Sequence, residues 1–313
     1  MKLNKQGKDE IRKLIEEKIK DVPNGKRIHL DKEILEDLLF DEMVYNKESN
    51  GKLKLPKWSG DFLSKIDLSE VSFEDVSWRL LSSYPDPSGY DDVFDEEAWN
   101  KVNDSDICQL NEGEKVNYSN TNAKIDFTKS FEYKQLGKIK ISECNFSGVD
   151  LSKNDMSKLG FVADSDLSNT KMVLSPEMFP DFDWAIFSEV NLSNVDFSKF
   201  TINGNDLLND DLTYIMDPRC NLANTGINIV LNVEEINSDT EFGNSSEDKK
   251  KMFKQMLHNG YLVGCYVNGK KVHSSDESEN LLISKKDEYE KMKQNIINNV
   301  SNSIDEQIGK KRK

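Results

Sequence analysis

The stretch "CNFSGVDLSKNDMSKLGF", residues 144–161, sets a large apolar side chain at every fifth position: Phe146, Leu151, Met156 and Phe161. An amphipathic helix repeats every ~3.6 residues and a half-buried strand every ~2. A spacing of five fits neither. It returns later with its phase moved by one residue, through Leu167, Met172, Phe182, Phe187, Leu192, Phe197, Ile202, Leu207, Leu212, Leu222 and Ile227, failing only at Glu177 and Asp217. An earlier fragment, "DLSEVSFEDVSW", adds Leu68, Phe73 and Trp78.

The neighbours repeat as well. Asp or Asn precedes the apolar residue at Asp67, Asn145, Asp150, Asp155, Asp166, Asn191, Asp196 and Asn221, and Ser often follows it, as at Ser69, Ser147, Ser152, Ser168 and Ser198. Two positions before the apolar residue stands a small or apolar side chain such as Val71, Cys144, Val149, Val190, Val195 or Cys220. Two inward residues in five, separated by turn-forming Asn, Asp and Ser, describe a chain that bends after every short extended piece. The expected result is a solenoid with a filled interior, its segments stacked at about the 4.8 Å spacing of sheet strands.

On these residues the sequence resembles the pentapeptide-repeat family, clearly over 61–80 and 136–230 and weakly over 116–131. It departs from the family at the small inward site, where Val and even Phe200 stand in place of Ala, and by a residue slipped in between Phe161 and Leu167. The resemblance implies a mainly β fold: a right-handed quadrilateral β-helix, four five-residue units to a turn, with α-helical caps at both ends. The expected domains are an N-terminal helical cap over 1–50, the repeat region over 51–235 with an acidic insertion at 81–115, and a C-terminal helix-hairpin-helix unit over 236–313, for capping or dimerisation.

Local signals fill in the ends. Residues 8–20 place Ile11, Leu14, Ile15 and Ile19 on one helical face, and 31–45 read as a second helix capped by Asp31. Ser245 and Asp248 form a capping box for a helix running to about His258, which Asn259-Gly260 ends. Strands Tyr261–Val267 and Lys270–His273 about the Asn268-Gly269 turn read as a hairpin. A last helix, capped by Ser284 and Asp287, carries Tyr289, Met292, Ile296, Val300, Ile304 and Ile308 as a stripe that either folds back along the repeat region or pairs with a second copy in a homodimer.

Composition narrows the chemistry. No stretch is apolar enough to span a membrane, and the N-terminus lacks the apolar core of a signal peptide, so a cytoplasmic location is expected. Cys108, Cys144, Cys220 and Cys265 have no metal-binding spacing and are read as reduced. His29, His258 and His273 lie near no ligand pattern, and no phosphate loop, nucleophile motif or metalloprotease motif is present. No enzyme activity, cofactor or metal is expected.

What remains is charge. The net charge is −15, and residues 86–114 hold ten acidic side chains against Lys101 alone. Such a surface disfavours direct contact with nucleic acid. Some pentapeptide-repeat proteins that protect DNA gyrase are understood as DNA mimics. The resemblance therefore implies an acidic rod that occupies the cleft of a basic nucleic-acid-binding protein, such as a topoisomerase or a phage-defence nuclease. The partner-binding residues expected are Asp86, Tyr90, Asp91, Asp92, Phe94, Asp95, Glu96, Glu97 and Trp99, aromatic anchors set among carboxylates. The alternative is a structural scaffold or adaptor whose acidity serves solubility.

Overall fold

The computed structural model describes residues 4–46, 51–56, 61–78, 115–130, 133–134, 137–174, 186–208, 216, 218–231, 245–276 and 281. Within them most of the apolar ladder faces inward, while Phe161, Met172 and Ile202 are half-buried. Phe146, Leu151, Met156 and Leu192 are fully buried, and Phe197 and Leu207 nearly so. Together with Cys144, Val149, Val190, Val195 and Cys220 they belong to one core that reaches from Ile15 to Leu281. Full burial of one such large side chain contributes about 1.5–3 kcal/mol. The ladder is therefore the main source of cohesion.

The turns between inward residues are made by side chains. Oδ1 of Asp67, Asn117, Asn145, Asp150, Asp155, Asp166, Asn191, Asp196 and Asn221 accepts the backbone N–H two residues further on, at 2.8–3.2 Å. These are Asx turns, in which a short side chain takes the place of a backbone acceptor. Past five of them the backbone turns left-handed, at Asn120, Gly148, Asn169, Asn194 and Asn224. Each of those residues donates its N–H to the next segment, ending with Asn224 to the Val263 carbonyl. At Gly148 a Cβ would collide with the side-chain oxygen of Asn120, so the close approach as well as the positive φ selects glycine.

The quadrilateral β-helix expected from the repeat is not what the chain forms. The described strands gather into four small, separate sheets of two to four strands, with no closed or continuous solenoid sheet among them. β1 (Phe40–Asn46) pairs antiparallel with β2 (Gly51–Pro56). β3 (Val116–Asn117) pairs parallel with β5 (Cys144–Asn145). β4 (Ile139–Ser142), β6 (Leu159–Ala163) and β7 (Ile186–Ser188) make a parallel three-stranded sheet. β8 (Thr201–Asn203), β9 (Asn228–Val230), β10 (Tyr266–Val267) and β11 (Lys270–Lys271) make a mixed sheet, with only β11 antiparallel. The reason lies in the spacing of partners. Four units of five demand a constant step of twenty, yet Ser147 meets Ser168 across 21 residues, Asn169 meets Asn194 across 25, and Glu189 meets Arg219 across 30. Strands of two to five residues, offset by unequal connections, cannot merge into four continuous faces.

The helices depart less. α1 (Lys5–Ile19) begins at Asn4, whose side chain accepts the Gly7 N–H. α2 (Lys32–Leu39) is capped by Asp31, which accepts from Glu33 and Ile34, and it buries Leu35, Leu38 and Leu39. The helix expected to reach residue 45 stops at Leu39, because the backbone from Phe40 pairs with β2. The four-residue α3 (Gly204–Leu207) follows β8. α4 (Ser246–His258) starts at the Ser245–Asp248 capping box. It ends where Gly260, at φ +73°, lets Tyr261 N–H reach the Met256 carbonyl. That turn continues through 261–264, so the expected strand over Tyr261–Val267 shortens to β10. Its partner, expected over Lys270–His273, shortens to β11. The expected helix over 287–308, and the homodimer resting on it, lie outside the described residues.

One buried amide ties two segments together. Asn154 Oδ1 accepts the Phe127 N–H at 2.8 Å, and its Nδ2 donates to the carbonyls of Ile125 and Leu151. Asn154→Ala strands these buried groups and should cost about 1–3 kcal/mol for each one left unpaired. Leu192→Ala, at a fully buried position, should cost about 2–5 kcal/mol. Denaturant unfolding of both variants checks this. A midpoint unchanged by Asn154→Ala would show that the clamp contributes nothing.

Candidate interaction surface

The nine residues expected to bind a partner, Asp86, Tyr90, Asp91, Asp92, Phe94, Asp95, Glu96, Glu97 and Trp99, lie outside the described residues. The places where that segment leaves and rejoins the fold are described. On the outgoing side, the Trp78 carbonyl accepts the Ser142 N–H at 2.9 Å and lies 3.4 Å from the Cys144 thiol. On the returning side, Val116 N–H donates to the Glu143 carbonyl at 2.8 Å. Ser142 and Glu143 are consecutive, so both ends of the acidic segment are fastened to one spot. Beneath it Trp78 is buried among Phe73, Tyr118, Phe127 and Phe146, with ring centroids 5.2–5.8 Å from its own. Burial pushes the Tyr118 phenol well above its usual range, so it stays neutral.

From the same spot runs a short row of carboxylates. Ser142, Ala163 and Ser188 are in register on β4, β6 and β7. The residues after them, Glu143, Asp164 and Glu189, all adopt the left-handed conformation, at φ +53°, +46° and +54°. Glu143 N–H donates to the Ala163 carbonyl and Asp164 N–H to the Ser188 carbonyl, which stacks the three backbones at strand spacing. Glutamate is uncommon there, and each such residue costs on the order of 1 kcal/mol. Arg219 follows in the same column and pairs with Glu189 while reaching Ser188 Oγ. Sequence reading missed this row because it lies between the repeats. Its signal is an acid two places before the turn-forming residue, at 143, 164 and 189 ahead of Asn145, Asp166 and Asn191.

The turn positions divide by charge. Asn117, Asn145, Asp166, Asn191 and Asn221 sit opposite one another on successive parallel segments, half-buried, and only one of the five is ionisable. Asp150, Asp155 and Asp196 are exposed instead. Like charges set ~4.8 Å apart on neighbouring strands repel, and an amide makes the same turn without a charge. At the exposed sites, hydrogen bonds from the hydroxyl and then the N–H of Ser152, Ser157 and Ser198 hold the carboxyls of Asp150, Asp155 and Asp196 below the usual carboxylate range. Asp67 is lowered further, first by Ser69 and then by the Asn122 amide, with His29 Nδ1 3.7 Å from its other oxygen.

Among the described residues no group of three or more His, Cys, Asp or Glu side chains could hold a metal ion. Cys144, Cys220 and Cys265 are buried thiols, each donating to a backbone carbonyl, of Trp78, Phe187 and Leu222. No helix among the described residues is long and apolar enough to cross a membrane. No family model, curated protein or solved structure matches the chain.

The serine-held aspartates tie stability to acid pH. Their folded carboxyls titrate below the unfolded value of about 3.9, so their contribution is complete above that pH and is lost as pH falls through the folded values. Thermal unfolding followed from neutral pH downwards should show the melting temperature dropping below about pH 4. The triple variant Asp150→Asn, Asp155→Asn and Asp196→Asn keeps the turns but should melt lower at neutral pH and converge with the parent in acid. Parallel curves would show that the serine hydrogen bonds do not favour the ionised form.

Proposed function

We propose that the protein is a non-catalytic binding protein of the cytoplasm that presents an acidic surface to the nucleic-acid cleft of a basic partner. The observation that carries this is the shared root of two acidic features. The segment with ten acids against Lys101 is fastened at Ser142 and Glu143, and Glu143 begins the row continued by Asp164 and Glu189. Acidic residues on backbones stacked at strand spacing, with Glu189 paired to Arg219, and a dense acidic stretch of sequence containing Tyr90, Phe94 and Trp99 supply negative charge with aromatic anchors among it. The reading rests on charge and its arrangement rather than on a shared fold. It extends to topoisomerases and phage-defence nucleases as the partner classes whose clefts fit such a surface.

A specific observation favours the alternative of a scaffold or adaptor. Many of the acids serve turns, and the stacked column is mostly Asn, which suits a surface that keeps its own charge low. Competition separates the two. The full chain is immobilised, offered cell lysate and eluted with a salt gradient, and captured proteins are then challenged with duplex DNA or RNA. The expected result is a basic nucleic-acid-binding protein that elutes with salt and is displaced by duplex. Neutralising Asp91, Asp92, Asp95, Glu96 and Glu97 to Asn or Gln should slow association and weaken binding by about tenfold, since each exposed pair contributes ~0–1 kcal/mol. A ternary complex with duplex, or capture indifferent to salt, would refute mimicry and leave the scaffold.

A further inference from the structure

Spontaneous deamidation of Asn-Gly pairs needs three things: a side-chain amide open to water, a glycine nitrogen free to attack it, and a backbone able to bring the two together. The glycine matters because it has no Cβ to obstruct the attack and tolerates the conformations required. The chain contains five such pairs, at 24–25, 50–51, 203–204, 259–260 and 268–269. Asn50 is outside the described residues, and the fold treats the other four differently.

Asn268-Gly269 is locked at both reacting groups. Asn268 Nδ2 donates to the carbonyls of Leu231 at 2.8 Å and Leu281 at 2.9 Å, and Oδ1 accepts the Leu231 N–H. The Gly269 N–H is held by Asn228 Oδ1 at 3.1 Å. At 259–260 the glycine N–H donates to the Leu257 carbonyl at the helix end. At 203–204 the asparagine is paired in β8 with Val230, and Gly204 is buried against Leu231.

Asn24-Gly25 has none of these restraints. Both residues are exposed, Gly25 stands at φ +80° with nothing within 4 Å of where a Cβ would be, and its N–H has no acceptor among the described residues. The turn is closed by one backbone bond, from Lys26 N–H to the Pro23 carbonyl. We infer that Asn24 is a site of spontaneous deamidation in the native protein and that the fold shields Asn268 from the same reaction.

In the reaction the Gly25 amide nitrogen, deprotonated by solvent base, bonds to Asn24 Cγ. The Cγ–Nδ2 bond breaks and ammonia departs with protons returned from water. A second water opens the cyclic imide at either carbonyl, giving Asp or isoAsp. The net change is one water consumed, one ammonia released and one negative charge gained. It falls between α1 and Ile28, which bridges to Ile66, and beside Arg27, which bonds to the Ser64 and Asn120 carbonyls.

The test is to age the full chain in mildly alkaline buffer and map its peptides by mass and by isoaspartyl methyltransferase labelling. In the native protein Asn24 should convert at least about tenfold faster than Asn268, because a locked pair reacts only through local opening. In urea the two should converge. Gly25→Ala should suppress conversion at position 24; a methyl group meets no neighbour there but is strained at φ +80°, so circular dichroism is used to establish that the variant is folded before its rate is read. Native rates that are equal, or faster at Asn268, would overturn the inference, as would a Gly25→Ala chain that is folded yet converts unchanged.

Discussion

The hydrogen bond on which the rest of the structure depends is the one from a backbone N–H to the Asx side-chain oxygen two residues before it. Each such bond bends the chain at the cost of one short polar side chain, leaving the next residue to point inward. Without it an apolar residue every five positions would have no backbone path to a common interior. With it, Phe146, Leu151 and Met156 reach the same core from consecutive bends. The left-handed residues that follow donate their amides to the neighbouring segment, so turn formation and lateral pairing are one event.

This division of labour decides what was legible in the sequence. Inward positions and turn residues are both local, and the sequence marks them directly: most of the described fifth-position ladder is buried, with Phe161, Met172 and Ile202 half-buried, and the Asp, Asn and Ser around it make the turns. Architecture is not local. Whether short strands merge into long faces depends on the number of residues between partners, and the connections here lengthen that step from 21 to 25 to 30. A periodicity of five is silent about them, so the expected β-helix gave way to four small sheets. The early end of α2 has a similar cause, since pairing of β1 with β2 overrides a local helical pattern.

The candidate surface was legible in part. The acidic segment announces itself by composition, whereas the row at Glu143, Asp164 and Glu189 becomes visible only when three distant corners are set in register. Asp and Asn look interchangeable in the repeat, yet the structure separates them by environment. Amides fill four of the five places in the half-buried column, Asp166 taking the fifth, and the carboxylates of Asp150, Asp155 and Asp196 take exposed turns where serine hydroxyls stabilise the charge. Charge counted along a sequence therefore overstates the charge offered to a partner.

The anchoring of Trp78 and Val116 to adjacent residues holds the two ends of the intervening segment together on the framework. A loop whose ends are already held together adds little closure cost as it grows, about 0.6 kcal/mol for each doubling of its length. A change of chain length between Trp78 and Val116 therefore adds little to the entropy of closure. The pair of anchors at Ser142 and Glu143 thus works as a socket, a place in the chain where length can vary at small entropic cost.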